Sequence, residues 1–310
     1  MGHVASRALG GSSPATAAHF FHYLSRMRKR PGLGGLFIIG GKEDKNDKRV
    51  ILRMLAKEVG KGGKLVVATV ASDSPRVLFN EYEACLRGLG MRHIHHLSID
   101  ERAEAQQESK LRLLRDADAV FFTGGDQLKI TSQIGDTPIY ARLRQIFDSG
   151  GLIAGTSAGA SAMTETMMVS GDGDQSHRIG SMLRLAPGFG LLPGVIVDQH
   201  FAERGRIGRL LGAIAQNPRI LGIGLDEDAA ILVRRGRFQV VGSGAVYVID
   251  GGKVTFSNIN EAKPEEPLCI YGLRMHVLNQ SDTFDLKKRQ PLYHPAEDVK
   301  EVLGIDTDED

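Results

Sequence analysis

The residues best suited to chemistry in this chain lie in the pentapeptide GTSAG at positions 155–159. A G-x-S-x-G pattern is typical of a tight turn from a strand into a helix, because small residues beside the serine permit a strained backbone. An apolar run, GLIA at 151–154, precedes it, and residues compatible with a helix follow. The N–H groups at the start of that helix would face any oxyanion formed beside the serine. We therefore predict acyl transfer with Ser157 as the nucleophile, the alternative being a turn of small residues that serves packing alone.

A serine hydroxyl becomes a strong nucleophile only when a base takes its proton and another group orients that base. Of the ten histidines, His200 alone lies at the carboxyl end of a strong predicted strand, VIVDQH at 195–200, and is the predicted base. The orienting acid is expected among Asp226, Glu227 and Asp228, which follow the next strand. Side chains alternate along a strand, so Glu227 would face away from the two aspartates. The sequence alone leaves open which of the three points at the site.

A glycine-rich turn, GGDQ at 124–127, also follows a predicted strand and offers further backbone donors. We expect the oxyanion to lie between the N–H groups of Ala158 and Gly125. The turn GGKED at 40–44 has neither the Walker spacing nor the G-x-G-x-x-G pattern, so it is interpreted as a tight turn and not as a phosphate site.

Neither of the two candidate metal sequences meets the requirements of a site. The histidine cluster at 93–96 has no clear carboxylate partner. The segment SGDGDQSH at 170–177 alternates aspartate and glycine, but the closing glutamate of a calcium loop falls outside its register. We interpret that segment as a loop, in which His177 is a weaker candidate base than His200.

The elements that must position these residues alternate from Leu36 onwards between short apolar runs and amphipathic stretches of helical length. Continuous apolar strands separated by helices predict an α/β fold with a mostly parallel central sheet covered on both faces. In such folds the sites lie at the carboxyl ends of the strands. Later residues rich in β-branched side chains predict antiparallel hairpins at a sheet edge, over 231–248 and 253–277. The predicted strands are 36–39, 65–70, 94–99, 119–122, 151–154, 195–200 and 220–225, and the predicted helices are 47–59, 75–89, 101–115 and 201–216.

The composition is that of a globular chain with an ordinary core. The 310 residues are 42% hydrophobic and carry a net charge of +2, too little to indicate a nucleic-acid partner. No apolar run approaches the roughly 18 residues of a membrane span. Two cysteines outside any metal spacing favour a reducing compartment, and hence the cytoplasm.

Residues 1–35 contain no aspartate or glutamate and are rich in Ala, Ser and Gly. We predict an extension outside the fold, with a transit-like leader as the alternative, so export or targeting stays open. The predicted domain spans 36–295, and 296–310 form a tail that ends in the acidic residues 306–310.

Several motifs together are more specific than the serine turn. They are GGKEDK at 40–45, TGGDQ at 123–127, GTSAGA at 155–160, DQHF at 198–201 with Arg204, Arg206 and Arg209, and LDED at 225–228. In this combination the chain resembles the cyanophycinase family of serine peptidases, within the peptidase E and class I glutamine-amidotransferase-like group. The resemblance covers residues 36–286, and Ser161 departs from the small apolar residue that the family often has there.

The resemblance implies a flavodoxin-like fold, no cofactor and a homodimer. It also implies that Ser157 is the nucleophile, His200 the base and Glu227 the orienting acid. The substrate-site residues that it implies are Gln127, Asp198, Gln199, Arg204, Arg206 and Arg209.

The substrate that the resemblance implies is cyanophycin, a polyaspartate whose side chains carry arginines through isopeptide bonds. Cleavage of its backbone gives β-aspartyl-arginine dipeptides. Arginines suit the free α-carboxylates of such a polymer because a guanidinium binds a carboxylate in bidentate fashion.

Two other functions compete with this one. A peptidase E-like exopeptidase acting on short aspartyl peptides would share Ser157 and the fold, but the stretch from Asp198 to Arg209 favours cyanophycin. A non-catalytic binding homologue would keep the scaffold without needing the three predicted catalytic residues. A glutamine amidotransferase is disfavoured because it uses cysteine at the position of Ser157.

Overall fold

The computed structural model describes residues 34–170, 183–261, 263 and 266–292. The predicted C-terminal tail, His177 and most of its loop lie outside this part of the chain, as does the predicted N-terminal extension except for its last two residues. Those two are part of the fold. The N–H of Gly34 donates to the carbonyl of Phe147 at 2.8 Å, and Gly35 is the first residue of a strand.

A nine-stranded sheet forms the centre of the described fold. Five of its strands are parallel and lie side by side, in the order 35–39, 152–156, 119–122, 64–68 and 93–97. Most of their residues are buried, as expected of parallel strands covered on both faces. These strands are β1 (Gly35–Ile39), β2 (Lys64–Ala68), β3 (His93–Leu97), β4 (Ala119–Phe122) and β5 (Leu152–Thr156).

Four antiparallel strands extend this sheet beyond β1 and confirm the predicted antiparallel hairpins toward the C-terminus. Two of them overlap the predicted range 231–248, whereas the other two lie after the predicted range 253–277. Together with the parallel centre they confirm the predicted α/β class. Their spatial order, moving away from β1, is β10, β11, β16 and β17. They are β10 (Ala229–Arg234), β11 (Arg237–Gly242), β16 (Thr283–Asp285) and β17 (Gln290–Leu292).

Helices cover both faces of the large sheet. On one face α1 (Val50–Val59) and α2 (Pro75–Gly88) bury Leu55 and Phe79 against the strands. The predicted helix over 101–115 is instead a 3₁₀ segment, Arg102–Gln106, followed by a short helix, because the backbone of Gln107 is extended. The helices on the opposite face are α3 (Glu108–Leu113), α4 (Gln127–Ile134), α5 (Pro138–Asp148) and α6 (Ala158–Ala162).

A second, four-stranded sheet lies against this opposite face. Its side chains Val197 and Ile223 share a buried cluster with Ile38 and Ile153 of the large sheet. The sequence did not reveal this division, because apolar strands of the two sheets read alike. The four strands, in the order β15-β12-β9-β8, are β8 (Val195–Gln199), β9 (Leu221–Leu225), β12 (Val246–Asp250) and β15 (Arg274–Leu278).

The outer face of the second sheet is covered by α7 (Ile207–Gln216), whose Leu210 and Ile214 pack on Ile196. The predicted helix start at Phe201 was wrong by six residues. Residues 201–206 form turns, in which Gly205 has a φ of 57°. Two further strand pairs are small: β6 (Thr166–Ser170) with β7 (Arg184–Pro187), and β13 (Phe256–Ser257) with β14 (Ile270–Tyr271).

None of the helices in the described ranges has the length and apolar character needed to cross a bilayer.

Candidate active site

Ser157 lies in the turn between β5 and α6, with φ 52° and ψ −110°. Few non-glycine residues adopt a positive φ, and those that do are held by their surroundings. The glycines on either side permit the turn. A Cβ atom at Gly155 would lie 2.5 Å from the backbone of Gly159, and one at Gly159 would lie 2.4 Å from the carbonyl oxygen of Phe122. The G-x-S-x-G pattern is therefore a steric requirement of this turn.

Ser157, His200 and Glu227 form a continuous hydrogen-bonded relay. Ser157 Oγ lies 3.0 Å from His200 Nε2, and His200 Nδ1 lies 2.8 Å from Glu227 Oε1. Two sheets supply the three residues, since Ser157 follows β5 of the large sheet whereas His200 and Glu227 follow β8 and β9 of the second sheet. The arrangement has the geometry in which a base can take a serine proton while a carboxylate orients that base.

The surroundings of His200 and Glu227 favour the protonation states that transfer of the serine proton requires. Burial lowers the pKa of His200 below its usual value; Glu227 opposes this effect, and the cation of Arg204 adds to it. Partial burial works to raise the pKa of Glu227, but hydrogen bonds from Lys42 and His200 outweigh it and hold that pKa below its usual value. At neutral pH the imidazole is thus neutral and able to accept a proton, and the carboxylate is ionised.

The loop after β1 holds the base and the acid in place. The carbonyl of Gly40 accepts the backbone N–H of His200 at 2.9 Å. The imidazole packs on Gly41 so closely that a Cβ atom there would lie 2.4 Å from His200 Cε1. Lys42 Nζ lies 2.9 Å from Glu227 Oε1. The sequence predicted only a tight turn here, although the GGKED motif had been among those that carry the resemblance.

Ala158, one of the two predicted oxyanion donors, lies beside the serine. Ala158 follows Ser157 directly as the first residue of α6. A Cβ atom at Gly124 would lie 3.4 Å from Ser157 Cβ, so the β4–α4 turn passes next to the serine. Gly125 has a φ of 139°, and its backbone lies so close to Ala71 that a Cβ atom would be 2.0 Å from the Ala71 carbonyl oxygen. In the described part of the chain no acceptor takes the N–H of Ala158 or Gly125.

The three carboxylates after β9 point to different partners, which the alternation of a strand could not predict. Glu227 faces His200, whereas Asp226 Oδ1 accepts the N–H of Ala202 at 2.9 Å. Asp228, whose φ is 49°, accepts the N–H of Asp44 at 3.1 Å. The chain turns after β9, so these side chains no longer alternate between two faces.

The predicted substrate-site residues divide by burial. Asp198 is fully buried and forms a bidentate ion pair with Arg209, which is itself buried. Arg206 Nη1 bonds to the side-chain oxygen of Gln199 at 2.7 Å, and burial lowers the pKa of Arg206 to about 10. Arg204 is exposed and adjoins the histidine, since its N–H donates to the carbonyl of His200 at 3.2 Å.

Gln127, the remaining predicted substrate residue, begins α4 and is half-buried. Its Nε2 donates to the carbonyls of Met168 at 2.8 Å and Val169 at 3.3 Å, in β6. The substrate-binding roles of these six residues stay predictions.

The histidines of β3 lie on a strand at the edge of the large sheet, and His96 has structural partners. His96 stacks on Phe79 with ring centroids 4.4 Å apart, and its Nε2 lies 2.8 Å from Thr69 Oγ1. Over the described ranges, no three His, Cys, Asp or Glu residues are grouped so that they could hold a metal ion.

Comparison with known proteins relates the chain to a family of peptidases. The model of the family described as "Peptidase family S51" matches residues 36–241. A cyanophycinase from Trichormus variabilis is 38% identical over 261 residues, which are 83% of this chain and 87% of that protein. A cyanophycinase from Synechococcus elongatus is 37% identical over 261 residues, 83% of this chain and 80% of that protein. One from Geminocystis herdmanii is 32% identical over 260 residues, 83% of this chain and 95% of that protein.

A solved structure shares the fold. The crystal structure of a peptidase from an acI-B1 actinobacterium superposes with a TM-score of 0.60 at 21% identity, over 82% of this chain and 98% of that one. The family match and the curated relatives together lead to one conclusion: the chain belongs to peptidase family S51 and is a serine-type peptidase.

Proposed function

We propose that this peptidase hydrolyses the polyaspartate backbone of cyanophycin and releases β-aspartyl-arginine dipeptides through an acyl-enzyme. The observation that carries the proposal is the relay from Ser157 through His200 to Glu227, with bonds of 3.0 and 2.8 Å, beside the cation of Arg204. The names of the curated relatives support the choice of substrate.

In the first half of the reaction, Ser157 Oγ attacks the carbonyl carbon of a backbone aspartyl residue. His200 Nε2 receives the hydroxyl proton as the new C–O bond forms, and Glu227 stabilises the imidazolium at Nδ1. The negative charge that develops on the carbonyl oxygen is met by the N–H groups of Ala158 and Gly125. Collapse of the tetrahedral intermediate breaks the C–N bond, and His200 gives its proton to the leaving amine.

In the second half, water attacks the ester formed with Ser157. His200 again accepts a proton, this time from the water, and returns it to Ser157 Oγ as the ester bond breaks. The product leaves as a carboxylate. The turn between β5 and α6 thereby acts as a nucleophile elbow, since the strained backbone presents the hydroxyl at the end of the sheet.

The arginines of the segment 204–209 supply charge for an anionic substrate group. Each unit of the polymer carries the free α-carboxylate of its arginine, which a guanidinium can bind. Arg204 is exposed, and we assign it the contact with that carboxylate. Asp198 and Arg209 neutralise each other in the core, so we assign them the support of β8 and α7 beneath the site. Arg206 bonds to Gln199 and also lies 3.4 Å from Asp198 Oδ1.

We further propose that the protein acts in the cytoplasm as a homodimer. The two cysteines are free thiols, with Cys85 buried. The dimer rests on the resemblance to the cyanophycinase family. Light scattering during size-exclusion chromatography tests it, and a mass of one chain at micromolar concentration would contradict it.

The substrate is tested by incubating the purified chain with insoluble cyanophycin and, in parallel, with short aspartyl dipeptides. We expect the turbidity of the polymer to clear and mass spectrometry to identify β-aspartyl-arginine as the soluble product. Cleavage of the dipeptides alone would favour the exopeptidase. Cleavage of neither substrate, together with failure of a fluorophosphonate to label Ser157, would favour a binding homologue.

A further inference from the structure

Glu43 is a buried acidic residue that takes no part in the reaction steps proposed above. Its side chain is reached by two hydroxyl groups. Thr156 Oγ1 donates to Glu43 Oε2 at 2.7 Å, and the hydroxyl of Tyr82 donates to Glu43 Oε1. Burying a carboxyl group costs free energy unless its oxygens are hydrogen-bonded. Glu43 is only 4% exposed, and each of its two carboxyl oxygens accepts a hydrogen bond.

Tyr82 anchors this carboxyl group to the core. Burial raises the pKa of Tyr82 well above its usual value, and the neighbouring Glu43 adds to the effect, so the hydroxyl keeps the proton that it donates. The ring of Tyr82 packs edge-on against Phe121 at a centroid distance of 4.9 Å, and Lys45 Nζ lies 4.3 Å from the ring centroid. The position of Glu43 is therefore fixed by α2 and by the large sheet.

Thr156 transmits this position to the nucleophile because it is the residue immediately before Ser157. The N–H of Ser157 donates to the carbonyl of Ile39 at 3.0 Å, at the end of β1. Two bonds therefore join the β1 end and its loop to the serine turn, one at the Ser157 backbone and one at the Thr156 side chain. A residue with positive φ keeps that conformation only where its surroundings enforce it.

The same loop also contacts the other two members of the relay. The Gly40 carbonyl holds the backbone of His200 at 2.9 Å, and Lys42 Nζ lies 2.9 Å from Glu227. Within this loop, the side chain of Glu43 contacts β5, the strand that ends immediately before Ser157.

We propose that Glu43 is a positioning residue, which holds Ser157 Oγ in line with His200 Nε2 by binding the hydroxyl of Thr156. The inference rests on the proposed role of Ser157 as nucleophile. Glu43 touches no substrate atom in this account, so its loss should lower the rate of attack by the serine and leave substrate binding intact.

The main test uses Thr156→Val, which removes one hydroxyl at nearly constant volume, and Thr156→Ser, which restores it. We expect Thr156→Val to lower kcat by roughly 10- to 100-fold with KM within about twofold, because a small misplacement of a reacting group costs rate and not affinity. Labelling of Ser157 by a fluorophosphonate should slow by a similar factor. Thr156→Ser should recover most of both rates.

Glu43→Gln tests the same bond from its other end. The amide nitrogen cannot accept a hydrogen bond, so one of the two hydroxyl groups must give up its role as a donor. We expect a loss of similar kind, and the double variant Glu43→Gln with Thr156→Val should be no worse than the more damaged single variant. Glu81→Gln, an exposed acid next to Tyr82 in α2, is the matched control and should keep wild-type rates.

The outcomes separate this inference from the proposed function. Wild-type rates in both Thr156→Val and Glu43→Gln would overturn the role of Glu43, as would a rise in KM alone or a loss explained by a lower Tm. If Glu43→Gln does not fold, Thr156→Val and Thr156→Ser decide the question. Wild-type protein that labels at Ser157 but leaves cyanophycin intact would contradict the substrate while the labelling rates still test Glu43. Absence of labelling at Ser157 in the wild type would overturn both.

Discussion

Lys42 and His200 bind the same oxygen of Glu227, with Lys42 Nζ at 2.9 Å and His200 Nδ1 at 2.8 Å from Oε1. The two contacts have different effects on the site. The histidine bond orients the imidazole, whereas the lysine places a second positive charge next to the carboxylate. A carboxylate that is already paired with an ammonium group stabilises an imidazolium less strongly. We therefore expect Lys42 to weaken the stabilisation of the His200 imidazolium by Glu227.

This relationship predicts the effect of Lys42→Met on the pH profile. His200 must be neutral to accept the serine proton, so kcat/KM falls as the pH drops through the pKa of His200. Burial already holds that pKa below its usual value, so the wild-type enzyme should keep its activity to a correspondingly low pH. Removing the ammonium should raise the pKa and shift the acidic limb to higher pH. Lys48→Met, an exposed lysine on the same loop, should leave the profile unchanged; an unmoved acidic limb in Lys42→Met would refute the argument.

Gly41→Ala should abolish most of the activity. The added methyl would lie 2.4 Å from His200 Cε1 and would force a residue with a side chain into a φ of 110°. We expect kcat/KM to fall at least about 100-fold, because the imidazole must move away from Ser157 Oγ. Gly60→Ala is the matched control, since Gly60 also has a positive φ but no atom within 4 Å of the added Cβ. It should cost about 1 kcal/mol of stability and no activity. Equal losses of activity in the two variants would show that strain alone is responsible.

Two arginines of the same segment should respond oppositely to substitution by glutamine. Arg209→Gln leaves Asp198 buried without its bidentate partner, so we expect a loss of about 3–5 kcal/mol in the free energy of unfolding. Arg204→Gln should leave the Tm unchanged, because its side chain is exposed, and should raise KM for the polymer by about tenfold. Urea unfolding and initial rates measure the two effects. An Arg209→Gln protein with wild-type stability and a raised KM would instead return Arg209 to direct substrate binding.

Ser161→Ala should stabilise the protein. Ser161 is completely buried, and within the described part of the chain its hydroxyl has no hydrogen-bond partner. An unsatisfied buried hydroxyl is unfavourable, so its removal should add about 1 kcal/mol to the free energy of unfolding. Thr164→Val is the contrasting variant, because the Thr164 hydroxyl is bonded to the Thr166 carbonyl at 2.7 Å and its loss should cost about 1 kcal/mol. Destabilisation by Ser161→Ala would indicate a partner for its hydroxyl.

Ser157 and His200 could be predicted from the sequence as catalytic candidates, because each lies at the end of a predicted strand. Glu227 could not be separated from its acidic neighbours by alternation. The chain leaves the strand after Leu225 and turns, with Asp228 at a φ of 49°, so the rule of period two no longer applies. The resemblance to a family, and not the pattern of residues, favoured Glu227.

The contacts of the loop after β1 with the site could not be predicted from the sequence, for a different reason. Glu43 acts on Thr156, which is more than a hundred residues further along, and the bond exists only because β1 and β5 are neighbours in the sheet. The second sheet was hidden in the same way. Strands 195–199 and 221–225 are apolar like those of the large sheet, and only tertiary packing decides which sheet they join.

The most direct test of the account compares wild-type protein with Ser157→Ala on cyanophycin, with the soluble products identified by mass. In the proposed reaction Ser157 supplies the attacking oxygen in every turnover. Over the described residues, the hydrogen bond of its Oγ is that with His200, so its removal should not disturb the fold. We expect the wild type to release β-aspartyl-arginine and Ser157→Ala, at an unchanged Tm, to release none above the buffer control. Substantial release of the dipeptide by a clean preparation of Ser157→Ala would contradict the central claim that this serine is the nucleophile.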